Sequence, residues 1–475
     1  MEKIVGFIKK YPALHAALRP AVHRAFFVYD SIKNPILLQT RRAHLFAKSK
    51  LSPFKETRDW IRIALFPNRT LGVGAMASGN EVLMLTSSDV RIDPRIEREA
   101  RALAEHGYRV TIICPVYTLK KAPSPNWGEG VEFRWLPMSA NNYLLKFPFY
   151  KAIEFYRAAR QRAPLVVHAH DLSMCYAALA AARETGAHFV ADFHEWYSEN
   201  VTWSEKENAY RPHSKRTRKA FRKLEKSTIM NASAVVTVCD SIASELEKEL
   251  CRNGQKIHVV RNIPILHQLG SREYPSLRKE LNVSKEKFIL LYQGGLGPSR
   301  MLEPVVEALT HAPKCVLVIR GPRAELYGPS YTNLAKRNGV SDRLFLLPPV
   351  PSGDVVAAAN GADAGIWTLP NISKNFYYAL PNKIFEYVAA GLPILTANYP
   401  EAQHVVDEFG VGNTFDPYDP KSIGQAINDL IDDPERAHEM RQATQVMLSK
   451  IDAVNEWQKL VKIYDALPRT PERES

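Results

Sequence analysis

The sequence predicts an α/β protein of two consecutive doubly wound domains facing a cleft, preceded by a basic, helical extension. Three observations carry this. Short apolar runs alternate with helix-patterned segments through two stretches of the 475-residue chain, as parallel strands covered on both faces require. A polar connection without a strong apolar pattern, residues 266–287, separates the two series. Residues 1–75 follow neither pattern and carry bases beside an apolar stripe. A chain of this length holds two or three domains, each with its own core.

In the extension, Ile4, Phe7, Ile8 and Tyr11 fall on one helical face with Lys9 and Lys10 beside them. Residues 1–60 hold twelve Lys/Arg against four Asp/Glu, and Arg211 to Lys226 holds eight bases and one acid. Together these segments exceed the whole net charge of +13, so the basicity belongs to two patches and the remainder is slightly acidic. An apolar stripe flanked by bases fits a helix on an anionic membrane surface. The alternative is an extension packed on the body with solvated bases. No base-reading motif accompanies the charge, so nucleic acid is not an expected partner. Five dispersed cysteines without a C-x-x-C pair argue against a zinc site or a disulfide framework. They fit a reducing, cytoplasmic setting. No apolar run reaches membrane-spanning length and no signal-peptide core opens the chain, so any membrane contact is expected to be peripheral, on the inner face.

The first domain is expected over 76–265. Strands are predicted at Val82–Thr86, Arg109–Cys114, Val131–Leu136, Leu165–His168, His188–Asp192, Ala234–Val238 and Ile257–Val260. Asp93 caps a helix with Pro94 at its first position, and Ile96, Ala100 and Leu103 form its inner face before Gly107 ends it. An alanine-rich helix covers Ala177–Ala182. The second domain is expected over 288–445, with strands at Phe288–Tyr292, Cys315–Ile319, Leu344–Leu347, Ala364–Thr368 and Ile394–Thr396. Residues 446–475 form a terminal helix, which could return to the first domain, and a charged tail.

Two places in the second domain suit an anion. Gly294, Gly295 and Gly297 follow a strand directly, and Arg300 stands near the next helix start. Glycines let backbone approach a ligand, and a guanidinium pairs with phosphate through two bonds. Tyr377 to Leu395 then reads as loop, helix and strand. Pro381 suits the first helical position, Ile384, Phe385 and Val388 make the buried stripe, and Gly391 fits the stop. A helix start offers free N–H groups to an anion. Lys383 adds a cation, and Glu386 lies one turn further in, able to accept from a sugar's hydroxyl pair. The competing reading is an ordinary crossover helix with solvated Glu and Lys. No G-x-x-x-x-G-K-[ST] is present, which disfavours a P-loop NTPase.

YQGGLGPSR with Glu303, IRG at Ile319 to Gly321, and LPNKIFEYVAAGLPIL are similar to retaining glycosyltransferases of family 4, whose fold is GT-B with two Rossmann-like domains. DPRIEREARALAEHGYRV, HAHD, ADFHEWYSE, VVTVCDSIASEL and VVRNIP resemble the same family. The resemblance spans roughly residues 81–465. It implies a nucleotide-sugar donor, UDP- or GDP-linked, in the second domain, and a saccharide or lipid-linked acceptor held largely by the first. It implies no further cofactor and no metal ligand. Gly294, Gly295 and Arg300 would meet the diphosphate with Lys383 as helper, Glu386 the ribose, and Tyr378, Leu380 and Asn382 would complete the donor side. His194 would sit near the transferred sugar, with Arg300 as its partner in catalysis; the alternative is a structural histidine bonded to Glu195 or backbone. His168, His170 and Asp171, with Glu195, Asp89 and Arg91, are second-choice acceptor-side residues, and a local Asp89–Arg91 pair is the simpler reading of the last two.

The chain departs from the family twice. A glutamate is common eight positions before Glu386, and Tyr378 stands there. The loop after the first strand, Ser87–Ser88–Asp89, lacks a glycine pair. Two rivals therefore stay open: a nucleotide-sugar epimerase of similar shape, and a catalytically silent, membrane-associated binding or assembly protein.

Overall fold

The computed structural model describes residues 79–116, 124–137, 148–204, 207, 209–251, 254–264, 272–451 and 453–468. The membrane-helix reading of residues 1–75 lies outside them.

Nine strands of the first half are β1 (Glu81–Leu85), β2 (Arg109–Val116), β3 (Val131–Pro137), β4 (Val166–His170), β5 (His188–Phe193), β6 (Val201–Ser204), β7 (Ala209–Pro212), β8 (Ala234–Thr237) and β9 (His258–Val259). Seven form a parallel sheet in the order β3-β2-β1-β4-β5-β8-β9, while β6 and β7 pair as an antiparallel hairpin. The second half holds β10 (Phe288–Gln293), β11 (Cys315–Arg320), β12 (Leu344–Leu347), β13 (Ala364–Trp367), β14 (Ile394–Ala397) and β15 (Gly412–Phe415). They form a second parallel sheet, β12-β11-β10-β13-β14-β15. This is the GT-B α/β fold. In both sheets the strand order reverses beside the first strand, and the carboxyl edge at such a switch point is where open α/β sheets bind ligands.

The predicted strands all form, with ends shifted by a residue or two. The near-continuous apolar runs explain why: β4 and β11 are buried along their whole length, so no alternation was required. The helix Pro94–Glu105 buries Ile96, Ala100 and Leu103 as expected, but Asp93, in the capping position, makes no side-chain cap bond. The alanine-rich helix runs further than predicted, Leu172–Thr185, and Ala177, Ala178, Ala180, Ala181 and Ala182 all face protein. Small side chains let it lie close to the sheet. The other face of the sheet receives the helix Ala453–Asp465, whose Trp457, Leu460 and Tyr464 join Ile96, Ala100 and Leu103 in one core. Trp457 donates to the carbonyl of Ile263 (3.1 Å), and Tyr108 donates to Asp465 (2.7 Å).

The two halves meet through specific bonds. Asn375 accepts from the Trp196 backbone N–H (2.7 Å), and Lys374 pairs with Glu245 (2.7 Å) while its ammonium lies 5.2 Å from the Trp196 ring centre. The thiol of Cys239 donates to the Tyr378 carbonyl (3.3 Å), and Glu401 accepts from the Ser241 N–H (2.6 Å). No helix among the described residues is long and apolar enough to cross a membrane.

Candidate functional site

The donor side is built at the end of β10. The chain leaves Gln293 into Gly294, and a Cβ at Gly294 would lie 2.1 Å from Cε and 2.7 Å from Nζ of Lys383. Lys383 therefore rests directly on the glycine turn. A Cβ at Gly321, just past β11, would lie 1.8 Å from the Gly294 carbonyl oxygen, so the two turns stack backbone against backbone. The helix Asn382–Ala389 is fixed over this turn by Tyr387. Its hydroxyl accepts from the Gln293 N–H (2.8 Å) and donates to the Ile366 carbonyl (3.3 Å). Its ring occupies the space a side chain at Gly365 would need.

Ile384, Phe385 and Val388 are buried as predicted. Pro381 is the residue before the helix, not its first. Glu386 lies one turn in, and burial raises its carboxyl above the usual range while the Lys383 and Arg98 charges pull it back. Burial and the Arg300 charge push the Lys383 ammonium down to about 8. Arg300 does not start an α-helix: it ends a 3-10 turn, Pro298–Arg300, and the next helix begins at Glu303. Its Nε is buried without a hydrogen-bond partner in the protein. So one helix start and one tight turn, not two helix starts, flank the glycines.

Two cations escaped the sequence reading. A Cβ at Gly295 would lie 3.8 Å from the guanidinium of Arg323, and one at Gly297 the same distance from its other nitrogen. Arg323 stacks on Tyr327 (5.7 Å) and has a left-handed backbone, φ +67°. Arg98, from the first sheet's helix, bonds Asn262 (2.7 Å); burial lowers it to about 10 and the charge of Glu386 opposes that.

On the first sheet, β4 and β5 end side by side. His194 follows β5 and donates from Nε2 to Asp192 (2.8 Å); its Nδ1 faces the Asp171 carboxylate at 3.8 Å. The expected structural partner, Glu195, is not the one used; Glu195 bonds Asn200 instead. Asp171 holds a strained backbone, φ +66° and ψ 156°, and its buried Oδ1 lacks a hydrogen-bond donor. Such strain at a strand end is a common companion of function. Burial raises the Glu195 carboxyl, with the His194 and Arg300 charges opposing, so Glu195 stands within reach of both sides of the cleft.

Other candidates are corrected. His170 is 1% exposed and His168 wholly buried, so neither can touch an acceptor; His170 lies behind His194, 3.3 Å from its Nε2. Arg91 donates to Asp89 (2.7 Å), making the local pair. Tyr378 stacks on Trp196 (6.5 Å, 21°), and Tyr378 and Leu380 pack against the first domain's core, so their side chains join the domains. Asn382 opens the helix.

Glu99, His168, His170 and Asp192 bring metal-ligand atoms within 4.8 Å of one another. Arg95 lies in the same pocket, bonding both Asp192 oxygens at 2.8 Å and facing Glu99 at 3.0 Å. A fixed cation already answers the carboxylates, so this is an arginine-centred charge network.

Comparison with known proteins agrees with this fold. Residues 95–263 match the model of Glycosyltransferase Family 4, and residues 273–447 that of Glycosyl transferases group 1. A D-inositol 3-phosphate glycosyltransferase of Corynebacterium efficiens is 30% identical over 173 residues, 35% of this chain and 39% of that protein. Curated relatives are matched over 39% to 65% of their own length. Sucrose-phosphate synthase of Thermosynechococcus elongatus superposes with a TM-score of 0.64 at 16% identity, over 82% of this chain and 100% of that one. HepE of Anabaena in complex with UDP-glucose gives 0.60 at 14%, over 82% and 100%. At such identities the structural likeness speaks for the fold alone. With both halves matched in order and both sheets present, the chain belongs to the family 4 glycosyltransferases of GT-B fold.

Proposed function

We propose that this protein is a retaining glycosyltransferase. It moves a sugar from a nucleoside diphosphate to a hydroxyl of a saccharide or lipid-linked acceptor, in synthesis of a surface polysaccharide or glycolipid. The observation that carries the reading is the seat of Lys383 on Gly294, beside an Arg300 whose buried Nε has no partner. Neither cation forms an ion pair with a carboxylate among the described residues, although Glu386 lies near Lys383, and cations so placed suit a diphosphate. Arg323 extends the same surface. A UDP-sugar is the favoured donor, since HepE binds UDP-glucose on the same fold.

In the proposed mechanism Glu386 accepts from the ribose hydroxyls. The Gly294 N–H is held by the Arg320 carbonyl (2.9 Å), so the Gly295 N–H, Arg300 and Lys383 meet the diphosphate, and their attraction grows as the anomeric C–O bond breaks. The acceptor oxygen bonds the anomeric carbon on the same face, and its proton passes to the departing phosphate oxygen. No carboxylate is assigned as nucleophile, in contrast to the paired carboxylates of glycosidases. Lys215, Lys219 and Lys223 are exposed on the helix Lys215–Asn231, and this face suits peripheral contact with an anionic membrane.

The test is incubation with UDP-, GDP- and ADP-sugars, with and without saccharide and lipid-linked hydroxyl acceptors, following nucleotide release and the anomeric configuration of product. Acceptor-dependent release with retention supports the proposal. Donor conversion without acceptor makes the protein an epimerase, and no turnover makes it a binding protein. Hydrogen bonds to charged groups are worth about 1.5–3 kcal/mol, so Arg300→Ala should weaken donor use about tenfold or more.

A further inference from the structure

Behind His194 lies a connected set of buried polar groups that the donor site does not use. Arg95 is 2% exposed and bonds Asp192 through Nε and Nη2, both at 2.8 Å, and the Val260 carbonyl through Nη1 at 2.8 Å. Its guanidinium also lies 5.6 Å from the Trp457 ring, on the terminal helix. His168 bonds Tyr464 of that helix through Nδ1 (2.6 Å) and stacks on His170 (4.4 Å). Asp192 cannot turn, because both its oxygens are gripped by one planar guanidinium, and its Oδ2 is the atom that His194 meets.

The second ring nitrogen of His194 faces Asp171. A neutral imidazole has one N–H donor and one acceptor. A ring with a carboxylate beside each nitrogen is best satisfied with a proton on both. We infer that Asp192, clamped by Arg95, is the positioning residue that fixes the His194 ring and keeps its positive charge facing the diphosphate of the donor. This rests on the donor-site reading proposed above.

The surrounding charges agree. The groups that face His194 are Asp192 on β5, His168 and His170 on β4, Asp171 after it, Arg95 and Glu99 on the helix Pro94–Glu105, and the adjacent Glu195. Burial pulls the imidazole down, but Asp171 and Asp192 outweigh it and hold it at about 10. Burial and the neighbouring Asp192 push the Glu99 carboxyl up, and the Arg95 charge opposes them. His168 and His170 are held neutral by burial. A cation fixed before reaction stabilises charge that develops on a leaving phosphate without reorganising.

The experiment follows the histidine ring nitrogens by NMR in the full chain, with His194 assigned by difference against His194→Gln, and in parallel the pH profile of donor turnover. In the wild type, His194 should stay protonated through about pH 9; in Asp192→Asn its titration should move down by about two pH units. Turnover of Asp192→Asn should then match the wild type within a few-fold near pH 6 and fall about tenfold below it near pH 9. Asp192→Glu should restore part of the high-pH activity. Equal loss at both pH values, or an unmoved His194 titration, overturns the inference. If Asp192→Asn does not fold, the wild-type titration decides: a neutral His194 near pH 7.5 overturns it. If His194→Gln leaves turnover unchanged, the donor-site reading fails at this residue whatever Asp192 does.

Discussion

Lys383 gives the most direct way to test the donor site, and pH is the perturbation. Its ammonium rests on Gly294, partly buried and beside Arg300, which brings it from 10.5 down to about 8. A bound diphosphate supplies the missing anion and restores the ammonium. The sign follows from which form binds. Below about pH 8 the free protein already holds the proton, and affinity for the nucleotide is flat. Above it the proton must be taken up on binding, so affinity falls. The protonated fraction drops about tenfold between about pH 7 and pH 9, which weakens binding about tenfold, or about 1.4 kcal/mol. Calorimetry with UDP at both pH values measures this, and repeating it in buffers of different ionisation enthalpy counts the proton, approaching about one per nucleotide at pH 9. Lys383→Gln should bind more weakly at pH 7 and lose this part of the slope. Ionisation of the uracil ring is common to both proteins and cancels in the comparison. Equal affinities at pH 7 and pH 9 in the wild type, or equal slopes in the two proteins, would refute the reasoning.

Three further outcomes are expected. Arg323 is exposed and has no carboxylate partner among the described residues, so Arg323→Ala should reduce UDP affinity by about tenfold in calorimetry while leaving the melting temperature within error. Gly321→Ala would drive a methyl into the Gly294 carbonyl; backbone must move, and donor kinetics should fall more than in Arg323→Ala, with a melting temperature lower by several degrees. Glu225 is 1% exposed, accepts from the Ser198 N–H (2.7 Å), and is raised by burial from 4.5 to about 7. For a carboxyl raised in the folded state, the stabilising proton is present below the unfolded value and lost as pH rises through the folded one. Relative to Glu225→Gln, the wild type should therefore lose about 2–3 kcal/mol of stability between pH 5 and pH 8, read from denaturant unfolding.

The sheets were legible because their strands are apolar runs with no polar face to confuse the period. β15, Gly412–Phe415, was missed because GNTF has one large apolar side chain, and a sheet edge does not demand more. The hairpin β6–β7 was missed because Trp203 and Tyr210, paired across it at 5.1 Å, are separated by polar residues. At the site, the glycines, Lys383 and Glu386 were legible because their spacing to one helix and one turn is local. Arg323, Arg98, Arg95 and Tyr464 were not, because each acts across a distance that sequence does not encode: Tyr464 reaches His168 over 296 positions. His170 misled for a related reason. Its place after an apolar strand marks the sheet edge, but only the packed terminal helix and Arg95 decide that it lies beneath the surface.

Tyr378 shows what the absence of an acid at that position has done. A glutamate there would carry a charge into the joint where Tyr378 stacks on Trp196 and its carbonyl accepts from Cys239. Beside it, Asn375 holds the Trp196 N–H and Lys374 is spent on Glu245. This segment is bonded to the first half of the chain, and an unpaired carboxylate packed among these groups would cost stability. The same joint ties Trp196, two positions from His194, to Asn375, three positions from Tyr378. The acid that stands at the end of β4 is Asp171, strained in its backbone and with a buried carboxylate oxygen 3.8 Å from Nδ1 of His194. Asp171→Asn keeps the shape and removes the charge. It should lower the pH at which His194 gives up its proton, read by NMR, and with it donor turnover at high pH; an unmoved His194 titration would show that Asp171 does not hold that charge.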